Sequence, residues 1–211
     1  AALERWAGPR LLDSYETERK PIGIRNTMEA ADCFDRLFSV MQDGDILDAS
    51  NAQGDEARAL LKEQIVQQEK LIVSSGTLLG YRYSHSDIII PDGTPEPPDH
   101  PREYIPTARP GHRAPHIWLQ DGRSILDHFS QGFTLLSFGQ FGRIQKIVTD
   151  KFCKAAIDIG MPVTVAVIED DAACQLYEAP YALIRPDLMV AWRGDLANSS
   201  AKYILNRVRG A

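Results

Sequence analysis

Gly132-Phe133-Thr134-Leu135-Leu136-Ser137-Phe138, a helical stretch, and then Val163-Thr164-Val165-Ala166-Val167-Ile168 decide how the second half of this chain folds. Each run is a nearly continuous apolar segment of strand length, the pattern of a strand buried on both faces. Between them Ile144, Ile147, Val148, Phe152, Ala155, Ala156 and Ile159 recur at helical spacing on one face, and Gly160-Met161-Pro162 stops that helix. A strand, helix and strand of these lengths make a right-handed crossover with the strands parallel.

Working outward, Tyr181-Ala182-Leu183-Ile184-Arg185 and Met189-Val190-Ala191-Trp192-Arg193 flank Pro186-Asp187-Leu188 and read as an antiparallel hairpin. A last helix, capped by Asn198 or Ser199, carries Ala201, Ile204, Leu205 and Val208. Strand, helix, strand, hairpin, helix is the order of a thioredoxin-like mixed sheet, so the chain is read as α/β. The position where such a fold keeps its reactive thiols, at the start of the first helix, reads Gly139-Gln140-Phe141-Gly142, with no sulfur.

The first half is different. Ala1-Ala2-Leu3-Glu4-Arg5-Trp6 reads as the last turns of a helix, halted at Ala7-Gly8-Pro9, as though the chain were cut from something longer. Asp13 and Glu16 have capping-box spacing, and Pro21 is expected to end or bend the helix they start. Beyond it Ile24, Met28, Ala31, Phe34, Phe38 and Met41 lie on one helical face. Asp43-Gly44-Asp45 and residues 51 to 55 are turn-formers, and Glu56 to Ile72 is helical again. Residues 1–73 are thus expected to be a helical segment. Leu78 to Tyr83 and Asp87 to Ile90 have strand-like content, and eight of the 13 prolines then fall between Pro91 and Pro115. That density excludes helix and predicts an extended, stiff connector over residues 74–116. A short strand at Pro115 to Leu119 and a turn at Gln120-Asp121-Gly122 lead into the third part, residues 117–211.

With 211 residues, 44% hydrophobic and 25% charged, the chain is long enough for a core without staples. Its formal charge of −6 excludes nucleic acid or an anionic membrane as partner, both of which need concentrated basic surface. No apolar run approaches the ~20 residues of a membrane span, and the start lacks a signal peptide's pattern, so a cytoplasmic location is the expectation. Cys33, Cys153 and Cys174 are odd in number and widely spaced, which reads as partly buried reduced thiols.

Three stretches together resemble a known family. Leu11-Leu12-Asp13-Ser14-Tyr15-Glu16-Thr17-Glu18-Arg19-Lys20-Pro21 resembles the segment after the second FAD-binding motif of class A flavoprotein aromatic hydroxylases. Gly80 to Tyr83, Pro91 to Thr94 and Ala108 to Leu119 resemble the entry to their carboxy-terminal domain. Gly132 to Leu136, Leu183 to Asp187 and Val190 to Arg193 resemble the thioredoxin-like domain of the phenol, chlorophenol and hydroxyphenylpropionate branch. Two departures stand out: Leu188-Met189 at the hairpin tip, where relatives carry Gly or a polar residue, and His128, where an apolar residue is common.

The resemblance implies an enzyme that binds FAD, takes hydride from NADPH or NADH, and hydroxylates a phenolic ring. No G-x-G-x-x-G follows a strand here, so the expectation is a carboxy-terminal portion that is structural or oligomerising and not catalytic alone. Its expected partners are its own amino-terminal FAD domain and a second copy, with FAD bound by the parent protein. The alternative is a self-standing binding or dimerisation module without catalysis.

No catalytic, cofactor-binding or metal-ligating residue is assigned. His112 and His116 have ligand-like spacing, but Pro110 and Pro115 forbid the helix that would align them, so the five histidines read as surface or packing residues. Ser137-Phe138-Gly139 lacks a nucleophile elbow. Tyr15, Glu16 and Arg19 read as capping plus a Glu16–Arg19 surface pair, and Trp118 and Trp192 as core fillers.

Overall fold

A computed structural model describes residues 1–40, 44–72, 74–140 and 142–211, with side chains over 1–35, 46–66, 74–140 and 142–211. The elements are α1 (Arg10–Val40), α2 (Gly44–Leu47), α3 (Ala52–Ile72), α4 (Ser75–Leu79), β1 (Phe133–Phe138), α5 (Arg143–Ile157), β2 (Val163–Ile168), α6 (Asp171–Tyr177), β3 (Tyr181–Ile184), β4 (Val190–Gly194) and α7 (Ala201–Val208). An amino-terminal helical region therefore precedes a mixed four-stranded sheet of order β2-β1-β3-β4 with its helices. Two compact units divide the chain: residues 1–20, 81–98 and 105–211, and residues 21–80 and 99–104.

The larger unit is built on β1. Its parallel register with β2 runs from Phe133 opposite Val163 to Phe138 opposite Ile168, and it pairs antiparallel with β3, Leu135 opposite Leu183. All six β1 residues are buried, as the apolar run predicts for a central strand. β2 differs from expectation: it is an edge strand with Thr164 exposed and only Ala166 and Ile168 buried, because β1 pairs one of its sides and no strand among the described residues pairs the other. On one face of the sheet Leu136, Phe138, Ile168, Ala182, Ile184 and Val190 pack with Ile125, Ala173 and Tyr177. Alternation sends the odd residues of β1 to the opposite face.

On α5 the side chains that are buried are Thr149, Phe152 and Ala156, whereas Ile144, Ile147 and Ile157 are exposed, so the apolar stripe expected from spacing is only half used. Ser200, one residue beyond the expected cap, accepts from the Tyr203 amide and starts α7. α6 was not expected; Asp170 caps it through the Ala173 amide at 2.9 Å. Residues 1 to 6 form a turn rather than the end of a helix, with Arg5 at φ 63° and its amide on the Ala2 carbonyl. That turn is fastened to the chain's other end: the Gly8 amide donates to Arg209 at 2.7 Å and the Arg10 amide to Gly210 at 3.0 Å. A Cβ on Gly210 would sit 2.4 Å from the Leu11 nitrogen, and the residue's φ of 76° suits glycine besides.

Several helix boundaries are corrected. α1 begins at Arg10, which puts Asp13 inside the first turn instead of at the cap, and it passes through Pro21 without ending there. A proline costs one amide bond and crowds the preceding turn, and the 31-residue helix carries that cost at a single position. Leu78 and Leu79 belong to α4, not to a strand, and residues 87 to 90 form no strand; Arg82 makes only an isolated bridge to His112. Phe38, Met41 and Asp43 carry expectations that fall outside the described side chains.

In the smaller unit Arg25 holds Asp99 through two bonds, Nε to Oδ2 at 3.0 Å and Nη2 to Oδ1 at 2.8 Å. Gly76 lies so close to the His100 carbonyl that an added Cβ would stand 1.7 Å from it. Residues 99–104 thereby close against α4.

The β3–β4 turn places Leu188 at φ 69°, a left-handed conformation that a leucine adopts at a cost of ~1–2 kcal/mol. Leu188→Gly is therefore expected to stabilise the protein by about 0.5–1 kcal/mol after glycine's own entropy loss. Thermal unfolding should show a midpoint roughly 1–4 °C higher; a lower midpoint would mean that the half-buried leucine side chain contributes more than its backbone costs.

Candidate functional site

Ionisable groups in the larger unit gather into three clusters that pin loops onto the sheet. The first is centred on Glu18, which α1 carries into the interior and which is 5% exposed. Its carboxylate accepts from Arg185 Nη1 at 2.6 Å and Nη2 at 2.9 Å, and from Ser86 Oγ at 2.6 Å. Arg185 also donates to Asp187 from Nε (3.0 Å) and Nη2 (2.8 Å). Burial works against the Arg185 charge, yet bonding to Glu18 and the Asp187 and Glu18 charges hold its pKa above the ordinary value. Arg19 and Arg185 place their guanidinium carbons 5.5 and 5.6 Å from the centre of the Tyr83 ring. The Tyr83 hydroxyl is buried without a hydrogen-bond partner, and burial pushes its pKa up to about 12 against the pull of Arg19.

The second cluster surrounds Arg193 of β4. Its Nε donates to Asp92 at 2.6 Å, its Nη1 to the Tyr177 carbonyl at 3.1 Å and to Glu178 at 3.0 Å. Thr94 donates to Asp92 from both its amide (3.0 Å) and its hydroxyl (2.6 Å). Burial alone would raise the Asp92 pKa, but these bonds leave it below the usual carboxylate range.

The third cluster joins Arg82, Arg109, Glu96, Ser84 and His112. His112 is 5% exposed, and neither ring nitrogen has a hydrogen-bond partner of good geometry. Burial drives its pKa down to about 4; the Arg82 and Arg109 charges add to this, and Glu96 and the Pro110 carbonyl oppose it. A base whose pKa falls from 6.5 to about 4 on folding is neutral in the native state and binds a proton more readily when unfolded. Its contribution to stability is complete above pH ~6.5, is lost as pH falls toward ~4, and amounts to about 3 kcal/mol. His112→Gln is expected to flatten the stability profile across that window, as measured by denaturant unfolding at a series of pH values; an unchanged slope would contradict this.

A cleft of about 380 Å³ opens at the carboxyl end of β2, with Gln120, Asp121, Arg123, His128, Glu169 and Asp170 on its walls. Both Asp170 oxygens are used, by the Ala173 and Gln120 amides, and Arg123 pairs with Asp121 at 2.6 Å. His128 Nε2 is buried without a partner.

The other expected sites are scattered. Glu16 pairs with Lys20 at 2.9 Å and not with Arg19, which faces Tyr83. Trp118 is 68% exposed and stacks edge-on against His116, contrary to its expected core role, while Trp192 is buried. Cys33 is exposed; Cys153 and Cys174 are half-buried, and burial raises the Cys153 thiol pKa. His100 accepts from the Arg102 and Glu103 amides. Among the described residues no group of three or more His, Cys, Asp or Glu is placed to hold a metal ion, and no helix is long and apolar enough to cross a membrane. Phe141 lies outside the described residues. Sequence reasoning missed Glu18 and His112 as centres of buried clusters.

Residues 107–211 match the family described as aromatic-ring hydroxylase, C-terminal. The chain is 32% identical over its whole length to the FAD-dependent monooxygenase opdD of Penicillium oxalicum, and covers 41% of that protein. It superposes over its whole length on the chromopyrrolic acid-soaked enzyme RebC with bound 7-carboxy-K252c, with a TM-score of 0.85 at 32% identity. The chain belongs to the FAD-dependent aromatic-ring monooxygenase family. A third match, to the flavin-dependent monooxygenase PieE in complex with FAD and substrate, has a TM-score of 0.79 at 31% identity over 99% of the chain. The chain spans about two fifths of the length of these family members.

These family relations correct four expectations. All of the chain, helical half included, aligns with flavin-dependent monooxygenases, so the reading as a purely structural or oligomerising piece falls, together with its alternative as a module without catalysis. PieE, which matches 99% of the chain, is itself a complex with FAD, and this overturns the reading of FAD as confined to a separate parent. NADPH or NADH as direct cosubstrate has no support in the RebC-like neighbours. An amino-terminal FAD domain as a separate required partner falls as well, since in each neighbour the matching segment is part of a single chain. The family membership is also broader than the phenol branch that the motifs suggested.

The start of α5 does not offer FAD a pyrophosphate cradle. The Gly142 amide at the start of α5 is taken by Gln145 Oε1 at 3.2 Å, and the β2 cleft is at the small end of ligand sites.

Proposed function

We propose that the protein bearing this chain carries out FAD-dependent oxygenation of an aromatic ring. The observation that carries this reading is the end-to-end superposition on RebC at a TM-score of 0.85 with 32% identity. When bound, the flavin supplies the oxygen-activating chemistry, and the protein's part is to hold the ring and keep water out. The Glu18 and Arg193 clusters fix α1 and the segment around Asp92 to the sheet. We also infer a thioredoxin-like second half without redox thiols; the parallel β1–α5–β2 crossover followed by the β3–β4 hairpin and α7 supports that reading.

The test uses the product of the native gene. It should carry the visible absorbance of oxidised flavin. After chemical reduction and exposure to isotopically labelled dioxygen, it should transfer one labelled oxygen atom to an aromatic compound. A flavin-free product, or a flavoprotein that releases only hydrogen peroxide across a panel of mono- and polycyclic aromatics, would reject the proposal.

A further inference from the structure

Two guanidiniums approach the Glu96 carboxylate without being satisfied by it. Glu96 lies 3.4 Å from Arg82 Nε and 3.5 Å from Arg109 Nη1, well beyond the ~2.7–2.9 Å of a charge-assisted bond. Its close contact is with the Ser84 hydroxyl. Each arginine makes its better bond to a carbonyl of the segment that carries Glu96, Arg82 Nη1 to Pro97 at 2.6 Å and Arg109 Nε to Thr94 at 3.0 Å. Among the described residues no acceptor takes Nη2 of either side chain, and neither atom is among the buried unpartnered ones, so both face solvent. Beside them lies His112, buried and with both ring nitrogens unpartnered.

We propose that Arg82, Arg109 and His112 form a binding site for an oxyanion, a carboxylate or a phosphate, and that Glu96 occupies it as a built-in stand-in which an external anion displaces. A planar guanidinium fork suits either group, and two forks with an imidazole supply more donors than one loosely seated carboxylate uses. Glu96 is also the most exposed member of the cluster, at 36%, on the segment Asp92-Gly93-Thr94-Pro95-Glu96-Pro97-Pro98. Gly93, at φ 79° with open space around it, offers that segment a turning point. Asp92, at the start of this segment, is engaged with Arg193, which also pairs with Glu178. The groups that face His112 are Arg82, Arg109 and Glu96. An anion that brings more negative charge than Glu96 favours the imidazolium, so its binding takes up a proton.

Calorimetric titration of the full chain at fixed ionic strength and about pH 6, in two buffers of different ionisation enthalpy, tests the site. The probes are inorganic phosphate and benzoate. E96Q should bind one of them at least about tenfold more tightly than the unsubstituted protein, with proton uptake, and adding R109Q should abolish that gain. Tighter phosphate binding would identify a phosphate ester as the natural ligand class, and tighter benzoate binding an organic carboxylate. Equal affinity in E96Q and the parent for both probes would overturn the proposal, as would a gain that survives R109Q or that chloride reproduces. Should E96Q fail to fold, E96D, which withdraws the carboxylate by one methylene, takes its place with the same expectations.

Discussion

Replacing Glu18 by alanine is expected to cost about 3–5 kcal/mol and to lower the thermal midpoint by roughly 6–20 °C, although the residue lies in a helix rich in exposed charge. The cost arises on the partner's side. Arg185, 11% exposed, would lose both short bonds from its Nη atoms to Glu18 and keep only Asp187, and Ser86 would lose its acceptor. Leaving a buried guanidinium half-compensated costs more than the intact pair contributes. The paired replacement Glu18→Leu with Arg185→Met should therefore recover part of the loss, and a double-mutant cycle in thermal unfolding measures the coupling. If the single and double variants lose equal stability, the ion pair is not what holds α1 at this point.

Arg193→Ala should be nearly as damaging, again by about 3–5 kcal/mol, because its side chain is 4% exposed and serves four acceptors. Asp92 would be left 15% exposed with only Thr94 to satisfy it, and the Tyr177 carbonyl would lose a donor at the end of α6. Its consequence reaches beyond stability. Asp92 and Thr94 begin the segment that presents Glu96, so the variant should also expose the 91–98 region to proteolysis before global unfolding. Limited proteolysis with mass mapping checks this, and first cleavage elsewhere in the larger unit would contradict it.

The sheet was legible because its signals are local. β1 is a nearly continuous apolar run, the β3–β4 hairpin flanks a proline-containing turn, and α5 and α7 have helical spacing with stop or cap residues nearby. α6 was not, since seven residues are too few for periodicity and its one signal is the cap at Asp170. Pro21 was expected to end or bend its helix; α1 does not end there, because a long helix tolerates one lost amide bond. The clusters were hidden for a different reason. Glu18 meets Arg185 across 167 residues and Asp92 meets Arg193 across 101, so neither carboxylate looks unlike a solvated one until the chain is folded. His112 carried a metal-like spacing that the prolines ruled out; its actual distinction, burial without a partner, comes from tertiary packing alone.

The outer side of β2 has a consequence of its own. Between Val163 and Ile168 there is no lysine, proline or other charged or kinked residue to discourage a like strand from aligning there. At high concentration or on mild heating, self-association should begin along this rim, joining sheets of neighbouring molecules while their interiors are still intact. Solubility would then be governed by one lone row of amides rather than by net charge.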